Sequence, residues 1–150
     1  MRTYLVIIDE TPEAEIALRF AARRAAKTGS TVEILALIPR QEFVAWGGVQ
    51  ATIELEAIEH AEDLVTKAAG SLVDELGAYP KIHVKQGDPI AMIHETLNAN
   101  AEIGALVLGA AAVGAPGPLV SHFAADTSAL PCPLMIVPGS LSVDAIDRLS

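Results

Sequence analysis

Tyr4-Leu-Val-Ile-Ile8 is an unbroken apolar run that stops on Asp9. A run of this length with polar ends reads as a strand covered on both faces, the kind found inside a parallel sheet. Thr31 to Ile38, Ala105 to Leu108 and Pro133 to Val137 read as further strands, the last as the other edge of the sheet. Lys81-Ile-His-Val-Lys85 alternates instead, which predicts one wet face and a place at a sheet edge. Helical patterns fill the intervals. After Asp9, Thr11 is placed to cap a helix with Pro12 at its first position and Glu13 and Glu15 at its positive end. Its predicted stripe is Ile16, Phe20, Ala21 and Ala25, and Thr28-Gly29 ends it. Ile53, Ala57, Ala61, Leu64, Ala68, Leu72 and Leu76 keep helical spacing over 50–77. Asp88-Pro89 opens a further helix through Leu97, another is expected over 119–130, and Ser142 caps a short acidic one.

Strands that alternate with helix-length crossovers imply an α/β fold. There is no internal repeat and no linker, so 1–150 reads as a single domain. A buried first strand and an edge third strand fit an open five-stranded parallel sheet in the order 3-2-1-4-5, with helices on both faces. In that order the chain reverses direction across the sheet between strands one and four, where α/β proteins bind ligands. Asp9 and Gly109 each follow one of those two strands, so both face one crevice. The loop after Gly109 reads Ala-Ala-Ala-Val-Gly-Ala-Pro-Gly-Pro. It stands where such folds cradle phosphates, yet it carries no charge.

Charge sharpens that contrast. The net charge is −9, which disfavours nucleic acid and anionic membrane surfaces as partners. The apolar runs are too short to span a bilayer, and the N-terminus does not read as a signal peptide. One cysteine, Cys132, excludes an internal disulfide and fits a reducing cytoplasm; its setting between two prolines reads as structural. Arg19, Arg23, Arg24 and Lys27 crowd the second half of the first helix and read as an ion-paired face. His60, His83, His94 and His122 have no metal-ligand spacing, and adjacent Ser121 and His122 diverge on a helix, so neither a metal nor a catalytic residue is expected. Asp9 has two readings: an acceptor for a ligand amine or hydroxyl, or an acid that completes the helix entry beside Thr11. Asp88 reads as a cap. The loop Pro39–Gly48 holds Phe43, Val44 and Trp46, either as a lid or partner surface or as packing under the helix that follows.

Four pieces in this order resemble the universal stress protein family. They are Val6-Ile-Ile-Asp9 with its capped helix, Gly87-Asp88-Pro89, Leu106-Val-Leu-Gly109, and Pro131-Cys132-Pro133-Leu134-Met-Ile-Val-Pro138. The resemblance implies an adenine-nucleotide alpha-hydrolase-like fold, a homodimer paired through strand five (134–138), and a role in stress survival rather than a fixed reaction. Members that bind ATP carry a Gly, two residues, a Gly, nine residues, and then Gly with Ser or Thr. Counting from Gly109, the second glycine position is Ala112 and the final pair falls on His122-Phe123; counting back from Pro131, it falls on Val120-Ser121. Between Gly109 and Ser121 there is no Lys or Arg, and Pro116 and Pro118 each remove an amide donor. Asp9, Glu10, Glu42 and Asp88 are expected at the same end, with Arg40 as the nearby cation.

The expectation is therefore a homodimeric module that binds a small ligand or partner and does not hold ATP tightly. Its site would be lined by Asp9, Ile38, Gly109, Gly114, Gly117 and Ser121. The competing reading is an ATP- or AMP-binding switch, with Mg²⁺ to offset the carboxylates and at most slow hydrolysis. A third is an interaction protein whose crevice is filled by its own side chains, Trp46 among them. A phosphoacceptor receiver domain fails: it needs an Asp ending strand three and a Lys ending strand five, where Gln86-Gly87 and Val137-Pro138 stand.

Overall fold

The structure, a computed structural model, describes residues 2–38, scattered positions between 55 and 70, and 80–150. The expected loop Pro39–Gly48, with Arg40, Glu42 and Phe43 to Trp46, lies outside the described residues, as do Ile53, Ala57, Ala61, Leu64, Ala68, Leu72 and Leu76. The described positions from Leu55 to Gly70 are helical and exposed.

In chain order the elements are β1 (Thr3–Ile8), α1 (Pro12–Thr28), β2 (Thr31–Ile38), β3 (Lys81–Gln86), α2 (Pro89–Ala99), β4 (Ile103–Ala110), α3 (Pro118–Ala125), a 3₁₀ turn (Thr127–Ala129), β5 (Leu134–Pro138) and α4 (Val143–Leu149). The five strands form one parallel sheet in the order β3-β2-β1-β4-β5. Val6 stands beside Ile34 on one side and Val107 on the other, and Leu108 beside Ile136. Strand alternation splits the apolar residues between two layers. Val6, Ile8, Val32, Ile34, Ala36 and Val107 meet α1 and Ile146 of α4. Leu5, Ile7, Leu35, Leu106 and Leu108 meet Ile93 and Leu97 of α2 and Val120 and Phe123 of α3. Helices cover both faces, as the unbroken apolar strands require. Among the described residues no helix is long and apolar enough to cross a membrane.

Two helices differ from expectation. On α1 the buried residues are Ala14, Ala17, Leu18, Ala21, Ala22 and Ala25, while Ile16 and Phe20 are only half-buried. The small alanines let α1 lie close to the sheet, which pushes the two large side chains toward the flanks. The helix expected over 119–130 ends at Ala125, and the chain leaves helical geometry at Asp126. Ser128 Oγ donates to Asp126 Oδ1 at 3.0 Å, a local bond that competes with helix continuation. Leu130, forced toward extended geometry by Pro131, completes the exit.

The capping expectations hold where a side chain is free to act. Asp88 Oδ2 accepts from the Ala91 amide at 3.0 Å, and Ser142 Oγ from the Ala145 amide at 3.1 Å. Asp88→Ala is expected to cost about 1 kcal/mol, the usual worth of such a cap, measurable by urea denaturation. The arginine face of α1 is indeed ion-paired, and Asp147 of α4 is a partner. Arg19 grips both Asp147 oxygens, at 2.8 and 2.9 Å, and Arg23 Nε lies 3.2 Å away. The Arg19 hydrogen bond, aided by the charges of Arg19, Arg23 and Lys27, holds the Asp147 carboxyl below its usual range.

One buried acid was not anticipated. Glu33 of β2 is 3% exposed, and its Oε1 meets His83 Nε2 of β3 while Oε2 accepts from Asn100 Nδ2 at 3.1 Å. Both oxygens are satisfied, so Glu33 ties edge strand β3 to the end of α2 rather than serving a ligand.

Candidate functional site

β1 and β4 are neighbours whose following helices lie on opposite faces, so their C-terminal ends part and leave a crevice. It holds about 60 Å³. Ile7 and Asp9 come from the end of β1, Thr11, Glu13 and Ala14 from the entry to α1, and Leu108 and Gly109 from the end of β4. Pro116 to Val120, the loop and first turn of α3, form the opposite wall. The walls are largely apolar, and the charged lining residues are Asp9 and Glu13; no described lining residue is Lys, Arg or His.

Asp9 is largely engaged by its own turn. Its Oδ1 accepts from the Thr11 amide at 3.0 Å and from the Thr11 hydroxyl. Thr11 occupies the N-cap position, but its side chain makes no capping bond because the hydroxyl is turned to Asp9. The helix-entry reading of Asp9 is thus realised, and the same carboxylate still lines the crevice.

Gly109 has a packing role that its place in a loop motif does not suggest. A Cβ built on it would lie 2.2 Å from the Glu13 carbonyl oxygen and 3.1 Å from Glu13 Cβ. Gly139, just past β5, is similar: a Cβ there would lie 2.5 Å from the Ala110 oxygen and 2.9 Å from Glu13 Cβ. Glu13 therefore packs against both glycines, its main chain against Gly109 and its Cβ against Gly139. Beyond Gly109 the loop closes on itself, the Ala111 amide donating to the Pro116 oxygen at 3.0 Å. Gly117, at φ +110°, makes the turn into α3 in a region that favours glycine.

Of the six expected site residues, Asp9, Gly109 and Gly117 line the crevice. The other three are not among its lining residues. Ile38 is buried at the end of β2, Gly114 is exposed in the loop, and Ser121 is exposed on α3 with its amide donating to the Gly117 oxygen at 3.0 Å. Reading the loop as a linear motif missed Glu13, Leu119 and Val120, which reach the crevice because α1 and α3 converge there. Glu13 had a visible signal: it is in the first turn of the helix that follows Asp9.

The remaining candidates stay outside. Cys132 is half-buried, and burial pushes its thiol pKa up against a lowering backbone hydrogen bond at Leu106, the direction opposite to that of an activated nucleophile. His122 and His94 pack their rings against Phe123, at 5.1 and 5.4 Å. No group of three or more His, Cys, Asp or Glu among the described residues could hold a metal ion.

No curated protein matches the chain. Solved structures match in fold. Universal stress protein UspA from Lactobacillus plantarum is 19% identical with a TM-score of 0.76, over 91% of this chain and 97% of that one. The universal stress protein from Archaeoglobus fulgidus in complex with dAMP is 20% identical with a TM-score of 0.61, over 91% and 97%. A universal stress protein family protein from Arabidopsis thaliana with AMP bound is 16% identical with a TM-score of 0.56, over 96% and 94%. The model of the universal stress protein family matches residues 1–138, from the first strand through β5, and the chain belongs to that family.

Proposed function

We propose that this chain is a cytoplasmic stress-response module that works as a homodimer and answers to a small ligand in the β1–β4 crevice, without holding ATP tightly. The observation that carries the reading is the crevice itself. It lies at the ligand-binding position of the fold, yet it is lined by Asp9 and Glu13 and by a loop in which Pro116 and Pro118 offer no amide. A polyphosphate needs converging amides or cations, and these residues do not fit one. Pairing through β5 has support in that edge: Ile136 is 42% exposed, and Leu134 and Met135 are half-buried.

The test is thermal unfolding with Mg·ATP, AMP and no ligand, beside native mass spectrometry of fresh protein. A ligand at a hundred times its Kd adds about 2.7 kcal/mol, which for a chain of this size raises Tm by roughly 5–10 °C. Millimolar Mg·ATP is expected to move Tm by less than about 1 °C, and the mass spectrum to show a dimer free of ATP. A shift of the full size would establish the second reading, a nucleotide-dependent switch with at most slow hydrolysis. The AMP- and dAMP-bound relatives favour that reading.

A further inference from the structure

α4 is held to the fold by one buried side chain and a cluster of charges. It has seven residues, too few for a helix to persist without packing. Ile146 is its buried residue, 0% exposed, while Val143 and Leu149 stand 48% and 52% exposed. Asp147 supplies the second hold. Arg19 and Arg23 of α1 stand one turn apart and reach the same carboxylate. Lys27, a further turn along, donates to the main-chain oxygen of Ser150 at 2.5 Å. The side chains of Arg19 and Asp147 are about a third exposed, so salt reaches this cluster. Asp144 and Arg148 match the two ends of α4 and favour the helix as such.

The chain leading into α4 has a fixed point followed by a hinge. The Gly139 amide donates to the Ala110 oxygen at 2.7 Å, and a Cβ on Gly139 would lie 2.5 Å from that oxygen, so residue 139 is pinned. Beyond it Ser140 and Ser142 are exposed, and the turn is closed by the Leu141 amide on the Pro138 oxygen at 3.2 Å. Rotation within 140–142 lets α4 swing out while β5 keeps its place. Ile146 shares a buried layer with Val137 of β5 and the alanine face of α1. An open α4 therefore leaves that layer uncovered beside the β5 border of the sheet. All of 139–150 lies after the residues that the family model matches.

We propose that α4 is a salt-releasable strap, which opens as a unit ahead of the sheet and whose opening is set by the Arg19–Asp147–Arg23 cluster. The rest of the fold responds to salt in the opposite sense. At a net charge of −9, salt relieves self-repulsion and firms the sheet, while it screens the cluster that holds the strap.

Amide hydrogen exchange of the full chain at about 20 mM and about 500 mM NaCl tests this. In the wild type, amides 145–150 are expected to exchange faster than those of β4, and about threefold faster again at high salt, while β4 amides hold steady or slow. Asp147→Asn, which keeps the shape of the side chain, is expected to quicken 145–150 about fivefold at low salt and to abolish their salt response. Ile146→Val loosens the apolar anchor, so it should quicken the same amides and leave their salt response intact. Exchange of 145–150 in step with β4 overturns the strap. A salt response that survives in Asp147→Asn overturns the part given to the cluster. Fraying of α4 in place, without detachment from α1, would leave Asp147→Asn with wild-type exchange and overturns the proposal as well.

Discussion

Gly109→Ala is expected to destabilise the chain by about 3 kcal/mol, the upper part of the usual range for overpacking. The added methyl group would lie 2.2 Å from the carbonyl oxygen of Glu13. That atom belongs to the main chain in the first turn of α1, so it cannot swing aside as a side chain would. Either α1 lifts from β4 or β4 bends, and each response disturbs a layer that contains Ala14, Ala17 and Val107, all nearly inaccessible. Gly114→Ala is the control. Gly114 has nothing within 4 Å of a built Cβ, and its φ of +78° is the sole obstacle, so its loss should cost about 1 kcal/mol. Urea denaturation of both variants measures the difference. Equal costs would mean that the close approach of α1 to β4 is not what requires glycine at 109.

Phe123→Ala is expected to cost about 4 kcal/mol and to lower Tm by roughly 8–16 °C. Phe123 is 0% exposed and, among the described residues, is the largest side chain so enclosed. It anchors α3, which has only eight residues, to the layer formed by Leu5, Ile7, Leu106 and Leu108. A helix this short has little stability of its own, so packing must supply it. Hydrogen exchange should therefore quicken across 118–125 well before the rest of the sheet opens. Uniform loss of protection would show that α3 unfolds with the sheet and not ahead of it.

The sheet was legible because its chemistry is local. Tyr4 to Ile8 and Ala105 to Leu108 are apolar at every position, and the alternation from Lys81 to Lys85 marks the edge that β3 occupies. The crevice followed from strand order, which needed only the contrast between a buried first strand and a half-wet third. What escaped was set by contacts distant in sequence. Arg19 meets Asp147 across 128 positions, and Glu33 finds His83 and Asn100 on other elements. Ala21 and Ala25 of the expected α1 stripe are buried, but Ile16 and Phe20 stand at its flank, because pattern reading weights them by size whereas closeness to the sheet selects small residues. Glu13 is the sharpest case. Its sequence position explains a favourable helix end, but only the convergence of β4, β5 and α1 makes it part of the crevice wall.

The two sides of the crevice are mechanically unequal. Where α1 touches Gly109 and Gly139 there is no slack, so that side acts as a rigid anvil. The opposing side begins in a loop whose glycines at 114 and 117 leave free space around them and leads into an eight-residue helix. Any guest must press against the yielding side. A guest entering the crevice would therefore meet less resistance on the side of α3, which leads on to β5 at the sheet's open border, than on the side of α1.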